Sequence, residues 1–380
     1  MIYKDFQNLK LSALGMGAMR LPITSGNDAM IDEAATSEMV DYAVRNGVNY
    51  FDTAWGYHGG NSETVMGKIL NQYPRDNFYL ATKFPGYDLA NMDKAETIFE
   101  KQLEKCRVNF FDFYLLHNVC EMNIDAYLDE KYGIFNYLKK QKSTGRIRHL
   151  GFSAHGSYEV MQRFLKAYGE HMEFCQIQLN YLDWTFQNAK AKVELLNEYH
   201  IPVWVMEPMR GGRLASLSGD NAARLKELRT DEEIPAWAFR FLQTLPNVTV
   251  VLSGMSNMRQ LQDNINTFEM EKPLNAQELD ILLGIADSMV KQVALPCTAC
   301  RYCTGHCPQQ LDIPALLELY NEHCFTSDSG FAFIAPMTLM AMSEDKRPGA
   351  CIGCGSCEAV CPQNIKISEA FSDFASKLNI

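Results

Sequence analysis

Eight short apolar runs, each followed by a stretch long enough for a helix, constrain this chain more than any other feature. The runs are 13–19, 48–53, 78–83, 110–117, 147–153, 174–180, 202–206 and 248–253. The stretches between them are amphipathic. In 36–46, Met39, Val40, Ala43 and Val44 fall on one helical face, and 93–106 and 186–199 read the same way. Alternation of strand and helix implies a parallel sheet with helices outside it. Eight such units before residue 290 suit a closed (β/α)8 TIM barrel better than an open sheet. An open dinucleotide-binding sheet should carry G-x-G-x-x-G after its first strand. Here Gly15-Met16-Gly17-Ala18-Met19-Arg20 lacks the third glycine and does not lead directly into a helix. A hairpin is expected at the extreme amino terminus and a closing helix over 277–290. The first domain is therefore 1–290, an α/β barrel.

The second domain, 291–380, is read from its cysteines. Cys297, Cys300, Cys303 and Cys307 precede Pro308; Cys351, Cys354, Cys357 and Cys361 precede Pro362. Both runs read C-x2-C-x2-C-x3-C-P, a thiolate spacing that ligates [4Fe–4S] clusters. Eight of the twelve cysteines fall in these two copies. Zinc sites usually present two well-separated Cys pairs rather than four ligands in one short run. Disulfides need an oxidising compartment, and the opening MIYKDFQNLK has no apolar signal-like core. In two-cluster ferredoxins the fourth cysteine of each run serves the other cluster. That rule groups Cys297, Cys300 and Cys303 with Cys361, and Cys351, Cys354 and Cys357 with Cys307. Cys106, Cys120, Cys175 and Cys324 lie in no such run and read as ordinary reduced thiols. Between the runs, 313–323 reads as a helix, and 330–342 is apolar enough to pack on the barrel.

Composition narrows the partners. The hydrophobic fraction of 47% over 380 residues argues for a folded chain with a sizeable core. No run of 18 or more apolar residues is present, so no membrane span is expected. The formal charge of −11 argues against nucleic acid, because phosphate binding needs basic patches. A cytoplasmic location follows from the reduced cysteines and the lack of a targeting segment.

In a (β/α)8 barrel the chemistry gathers at the carboxyl ends of the strands. Those ends carry Asp52, Lys83 and His117 on the second, third and fourth runs, with Tyr57 in the loop FDTAWGYHGGNSE. Phenol, with an ordinary pKa near 10, is a poor acid at neutral pH. A neighbouring ammonium, Lys83, is expected to lower it by about 1–3 pH units. Asp52 would hold Lys83 charged and in place. His117 would donate a hydrogen bond to a carbonyl oxygen, and Tyr57 would protonate that oxygen as hydride reaches the carbon. His58 and His155 are expected at most to line the pocket; Trp55, Phe84, Tyr87 and Trp184 are candidates for a substrate wall. Barrel phosphate sites commonly use the loops after strands seven and eight. These carry Arg210, Gly211 and Gly212, then SGMSNMRQLQDN, where Ser256 is expected to cap a helix whose amides face an anion.

The segments FDTAWGY, LATKFP and YLLHN resemble the aldo-keto reductase superfamily over about residues 1–290. The tail resembles the ferredoxin-like domain with two [4Fe–4S] clusters that is fused to some microbial members. The resemblance implies a (β/α)8 barrel that binds NADP or NAD without a Rossmann domain. It implies a catalytic tetrad of Asp52, Tyr57, Lys83 and His117. It places Ser153, Gln178 and Asn180 at the nicotinamide carboxamide, and Gly254, Ser256, Gln260, Asp263 and Asn264 around the adenosine end. Departures from the family pattern bear on the coenzyme. Gly254 and Gln260 stand where many members carry a 2′-phosphate-clamping Lys and Arg, with Arg259 next to them. Met206 or Glu207 stands where a tyrosine stacks on the ring, and Ser153-Ala154 replaces a Ser-Asn pair.

Two functions compete at this level. One is an NAD(P)H-dependent oxidoreductase interconverting a small-molecule carbonyl and an alcohol, with iron-sulfur clusters for structural support or for electron transfer with a redox partner protein. The other is an electron-transfer protein whose barrel docks a redox partner without carbonyl chemistry. A hydride moves two electrons and a cubane accepts one, so direct coupling needs an electron splitter such as a flavin, and no flavin motif is visible.

Overall fold

The computed structural model describes residues 1–217, 219–295, 297, 301, 303–327, 332, 334–361 and 363–378. The backbone forms two compact units. One comprises Met1–Met209 with Ala222–Leu279, the other Arg210–Asn221 with Asp280–Ile380.

The first unit opens with an antiparallel hairpin, β1 (Tyr3–Phe6) and β2 (Leu9–Ser12). Eight parallel strands follow: β3 (Leu14–Gly17), β4 (Tyr50–Asp52), β5 (Tyr79–Phe84), β6 (Phe111–Val119), β7 (Ile147–Ala154), β8 (Cys175–Gln178), β9 (Val203–Met206) and β10 (Val248–Ser253). Each pairs with its sequence neighbour, and β10 pairs with β3 to close the barrel. All eight expected runs become barrel strands; β3, β4, β8 and β9 are shorter than expected, while β6 and β7 run past their expected ends. A helix of nine or more residues follows every strand, from Glu33–Arg45 after β3 to Met258–Thr267 after β10. Side-chain caps set several helix starts: Asp32 accepts from the Ala35 amide, and Ser157 from Val160. The expected helix 186–199 is interrupted after Phe186, because Asn188 adopts a left-handed backbone and Ala189–Glu198 starts afresh.

The barrel interior is aromatic. Phe113 lies at its centre, its ring 5.0 Å from Tyr50, 5.3 Å from Phe174 and 5.8 Å from Trp204. Phe6 of the hairpin joins this cluster edge-on against Trp204, at the end where the strands begin. That end is packed shut, so chemistry is left to the opposite end. Gly151 is obligatory within β7: a Cβ there would lie 2.6 Å from the Phe174 carbonyl oxygen.

The second unit contains the helices Ile313–Ser327, Ile334–Ala341 and Ile367–Leu378. Their apolar faces meet through Ile313, Leu316, Leu317, Leu339, Phe371 and Phe374. Cys303 and Cys357 are buried in the same core, and Cys297, Cys307, Cys351 and Cys361 pack against it. The stretch 330–342, expected to pack on the barrel, buries Ala335 and Leu339 in this core. Among the described residues no helix is long and apolar enough to cross a membrane.

Because Phe113 is ringed by aromatic neighbours, its truncation should leave a cavity that the stiff barrel cannot collapse. Phe113→Ala is expected to lower barrel stability by about 3–5 kcal/mol, measured by urea unfolding.

Candidate active site

β4 and β5 end side by side, with Asp52 paired in register to Ala81, so Lys83 of β5 reaches back over the end of β4. The Lys83 ammonium donates to Asp52 Oδ1 at 2.6 Å, to the Thr53 carbonyl at 2.8 Å and to Tyr57 Oη at 3.3 Å. Lys83 is fully buried and Asp52 nearly so. Tyr57 stands at the head of a short turn in which His58 takes a left-handed backbone, and it is half-buried. His117 arrives from β6, its ring 6.1 Å from that of Tyr57 and edge-on to it. The structure thus brings the four side chains singled out in the sequence to one end of the barrel.

Burial works against a charge on Lys83, but Asp52 and Tyr57 outweigh it and hold the ammonium above its ordinary pKa. Burial pushes the Asp52 carboxyl up against the pull of Lys83. Tyr57 differs from the sequence expectation. Burial raises its phenol pKa, and the lowering by Lys83 is the smaller effect, so the net shift is upward from 10.0. The phenol is therefore fully protonated at neutral pH. His117 is held well below 6.5 by burial, then by Lys83 and His155, so its imidazole is neutral. Its Nδ1 is buried without a hydrogen-bond partner among the described residues. His155 is likewise neutral, pushed down to about 3 chiefly by burial.

The remaining wall candidates divide. Tyr87 packs edge-on against His117 at 5.4 Å, and so belongs to the site. Phe84 is core, packed against Tyr127. Trp184 stacks edge-on against Phe241, and Trp55 lies under the Lys105 ammonium. His58 ties two loops together, its Nε2 accepting from the Leu21 amide and its Nδ1 meeting the Asp28 carbonyl.

Ser153 is buried on β7, and its hydroxyl accepts from the Asn118 amide. Gln178 and Asn180 both donate to Asp183, and Asn180 also bonds the Glu207 carbonyl and accepts from the Leu182 and Asp183 amides. Asn180 therefore braces the loop after β8 with both ends of its amide. Met206 ends β9, half-buried.

Gly254 and Ser256 in the loop after β10, and Arg259, Gln260 and Asp263 on helix Met258–Thr267, are all exposed. The cap of helix Met258–Thr267 is Asn257, one residue beyond the expected Ser256. Its Oδ1 accepts from the Gln260 amide, while the Gln260 side chain accepts from the Ser256 amide. The Ser256 hydroxyl instead donates to the Arg20 carbonyl. Arg259 approaches Asp263, and Asn264 donates to Ser253 Oγ. Arg20, which no sequence motif marks, lies alongside Gly254, where a Cβ would come 3.2 Å from the Cβ of the arginine. A capped helix start, a glycine before it and an arginine beside it fit the phosphate end of a dinucleotide.

The loop after β9 calls for a correction. Arg210 is buried, donates to Thr326 Oγ1 at 2.7 Å, lies 3.6 Å from the Glu322 carboxylate and covers the Phe325 ring. Its guanidinium is committed to helix Ile313–Ser327, which removes it as a phosphate clamp. Gly211 and Gly212 are exposed, at φ 64° and 97°, where only glycine is unstrained.

In the second unit, Cys307, Cys351, Cys354 and Cys357 line one recess with Leu311, Ile313 and Phe371. This is the grouping expected for one cluster. The donor set suits such a group: four cysteines line an apolar recess together with Gly355, whose φ is 70° and which carries no Cβ. For the other cluster, Cys297, Cys303 and Cys361 pack on the shared core, while Cys300 and Pro362 lie outside the described residues. Among the described residues no three His, Cys, Asp or Glu side chains are gathered for a single metal ion. Among the described residues, Cys106, Cys120, Cys175 and Cys324 form no disulfide.

A profile described as the aldo/keto reductase family matches residues 13–287, and one described as a 4Fe-4S dicluster domain matches residues 296–365. The chain is 24% identical over 306 residues to the oxidoreductase YqkF of Bacillus subtilis, spanning 72% of this chain and 92% of that one. It is 27% identical over 281 residues to L-galactose dehydrogenase of Arabidopsis thaliana, spanning 68% and 84%. Among solved structures, the holo form of aldo-keto reductase AKR11C1 from Bacillus halodurans superposes with a TM-score of 0.62 at 25% identity, over 75% of this chain and 96% of that one. A Klebsiella pneumoniae aldo-keto reductase in complex with NADPH gives 0.59 at 18% identity, over 74% and 94%, a likeness of fold.

Removing Asp52 would strand a buried ammonium. Asp52→Ala is expected to lower stability by about 3–5 kcal/mol, with Asp52→Asn milder, both read from denaturant unfolding.

Proposed function

Since the chain belongs to the aldo/keto reductase family, we propose that it interconverts a small-molecule carbonyl and an alcohol with NAD(P)H at Asp52, Tyr57, Lys83 and His117. The observation that carries this reading is the Lys83 ammonium, bonded at once to Asp52, the Thr53 carbonyl and Tyr57 Oη. When bound, the dinucleotide supplies a hydride and the clusters supply one-electron chemistry. The neutral Tyr57 phenol gives its proton to the carbonyl oxygen, and Lys83 stabilises the phenolate left behind. Asp52 holds that ammonium in place. The neutral His117 imidazole donates a hydrogen bond that orients the oxygen. Tyr87 and His117 form the wall beside it. The loop after β10, with Arg20, Gly254 and Ser256, receives the phosphate end of the coenzyme. A relative that is an L-galactose dehydrogenase is in keeping with a small hydroxylated substrate.

The tail holds two [4Fe–4S] clusters in this reading, one on Cys351, Cys354, Cys357 and Cys307, the other on Cys297, Cys300, Cys303 and Cys361. They brace the second unit or exchange electrons with a partner protein.

Tyr57→Phe should lower carbonyl reduction by about a hundredfold to ten-thousandfold while dinucleotide binding persists. Unchanged turnover would leave the barrel as a docking module. Because the phenol titrates above 10.0 and the imidazole well below 6.5, reduction should show no break from either group between pH 7 and 9. Alcohol oxidation, which needs the phenolate, should climb with pH through that range. Anaerobically prepared protein should contain about eight irons per chain, and Cys354→Ser should remove about four of them. Zinc in place of iron would overturn the cluster assignment.

A further inference from the structure

Behind Lys83, on the outer side of β5, lies a buried polar network that the proposed mechanism does not use. Glu63, on helix Ser62–Leu70, is fully buried. Its Oε1 accepts from Thr82 Oγ1 at 2.7 Å and from Gln102 Nε2 at 2.7 Å, and its Oε2 accepts from Lys105 Nζ at 2.6 Å. Gln102, on helix Ala95–Cys106, is also fully buried and donates to the Lys83 carbonyl at 3.0 Å. Tyr114 Oη of β6 donates to Gln102 Oε1 at 2.6 Å. The Glu63 carboxylate and the Lys83 carbonyl fix which end of the amide faces which neighbour, because both only accept and a flipped amide would turn its oxygen on them.

The network bears on catalysis because of what lies on its two flanks. On one side it grips the backbone of the residue whose ammonium meets Asp52 and Tyr57. On the other, Ser62, next to Glu63, bonds Thr53 Oγ1 at 2.8 Å and the Ala18 carbonyl at 2.9 Å. Thr53 is the residue whose carbonyl accepts from Lys83. Helix Ser62–Leu70 therefore fixes the acceptor of the lysine, and Gln102 fixes its carbonyl. The two helices are locked together where Gly67 meets Cys106: a Cβ on Gly67 would lie 2.6 Å from the Cys106 backbone.

We propose that Gln102, oriented by Tyr114 and Glu63, is a positioning residue that holds Lys83 at the register needed to serve Tyr57. This rests on the carbonyl-reductase reading for its kinetic consequence, though not for its structural one. Gln102 touches neither substrate nor coenzyme; it acts through Lys83. A fully satisfied buried network of this kind specifies one arrangement of the groups it binds, and an ångström of drift at Lys83 would weaken its bond to the phenol.

The test pairs Gln102→Met, which keeps length and removes every polar bond of the amide, with Phe99→Leu, a packing change on the same helix. Gln102→Met should lower kcat at least tenfold, leave the dinucleotide Kd within twofold and shift the pH dependence of alcohol oxidation upward. Phe99→Leu should lower stability yet keep kcat within twofold. If Gln102→Met does not fold, Tyr114→Phe carries the test and should lower kcat several-fold at unchanged Kd. Titration of Tyr57 by NMR of isotope-labelled tyrosine, assigned by its loss in Tyr57→Phe, reads the positioning without turnover, and its midpoint should rise in either network variant. An unshifted Tyr57 titration, or equal kcat losses in Gln102→Met and Phe99→Leu, would overturn the proposal. A shifted titration in a protein with no carbonyl turnover would instead sink the functional reading and leave the positioning role standing.

Discussion

One buried charge organises the open end of the barrel. Lys83 places an ammonium where water does not reach, and such a charge survives only beside a carboxylate and further acceptors. Asp52 supplies the carboxylate, the Thr53 carbonyl a second acceptor and Tyr57 a third. These acceptors lie on β4 and on the turn that follows it, so satisfying the lysine aligns β4, β5 and that turn. The phenol is held next to a positive charge as a consequence of paying for that burial. Structure and proposed chemistry share one cause here: the contacts that keep Lys83 charged also hold beside it the phenol proposed as proton donor.

Much of the fold was legible because its signal is periodic. The run 248–253 is dominated by apolar and β-branched residues, the mark of a strand buried on both faces, and it became a barrel strand. The absence of a third glycine after Gly17 pointed away from an open sheet, and the β3–β10 pairing bears that out. What periodicity could not supply was the interior. Phe6 enters the aromatic cluster from outside the eight-strand count, and no local pattern marks a hairpin residue as core. The break after Phe186 was hidden because Asn188 adopts its left-handed backbone inside an otherwise helical pattern.

The candidate site was legible where side chains sit on strand ends and much less so in loops. Asp52, Lys83 and His117 were placed by counting strands, because strand ends converge by construction. The loop residues depended on geometry that spacing does not encode. Arg210 looked like an anion clamp beside two glycines, yet its guanidinium found Glu322 and Thr326, more than a hundred residues away in sequence. The helix cap shifted from Ser256 to Asn257, where the amide of Gln260 is within reach. Arg20 carried no motif at all. The direction of the Tyr57 shift was missed for a related reason: sequence names the neighbouring ammonium, whereas the depth of burial, which dominates, emerges only from the folded chain.

In the proposed reading the barrel takes a two-electron carrier and the tail takes one-electron clusters. In the same reading the phenol held by Lys83 would move one proton, which suits a two-electron transfer completed in one event. The tail's cysteines sit on an apolar core of their own, with Cys303 and Cys357 buried among Leu316, Leu317 and Phe371. A group bound there by Cys307 would stiffen the start of helix Ile313–Ser327, which begins six residues later and which holds Arg210 through Glu322 and Thr326. Arg210 in turn lies four residues beyond the end of β9. Within this unit, the tail's ligand set is thus linked to Arg210 through one helix and a buried ion pair. Such a link transmits order within the unit, which in the proposed reading suits clusters that brace it.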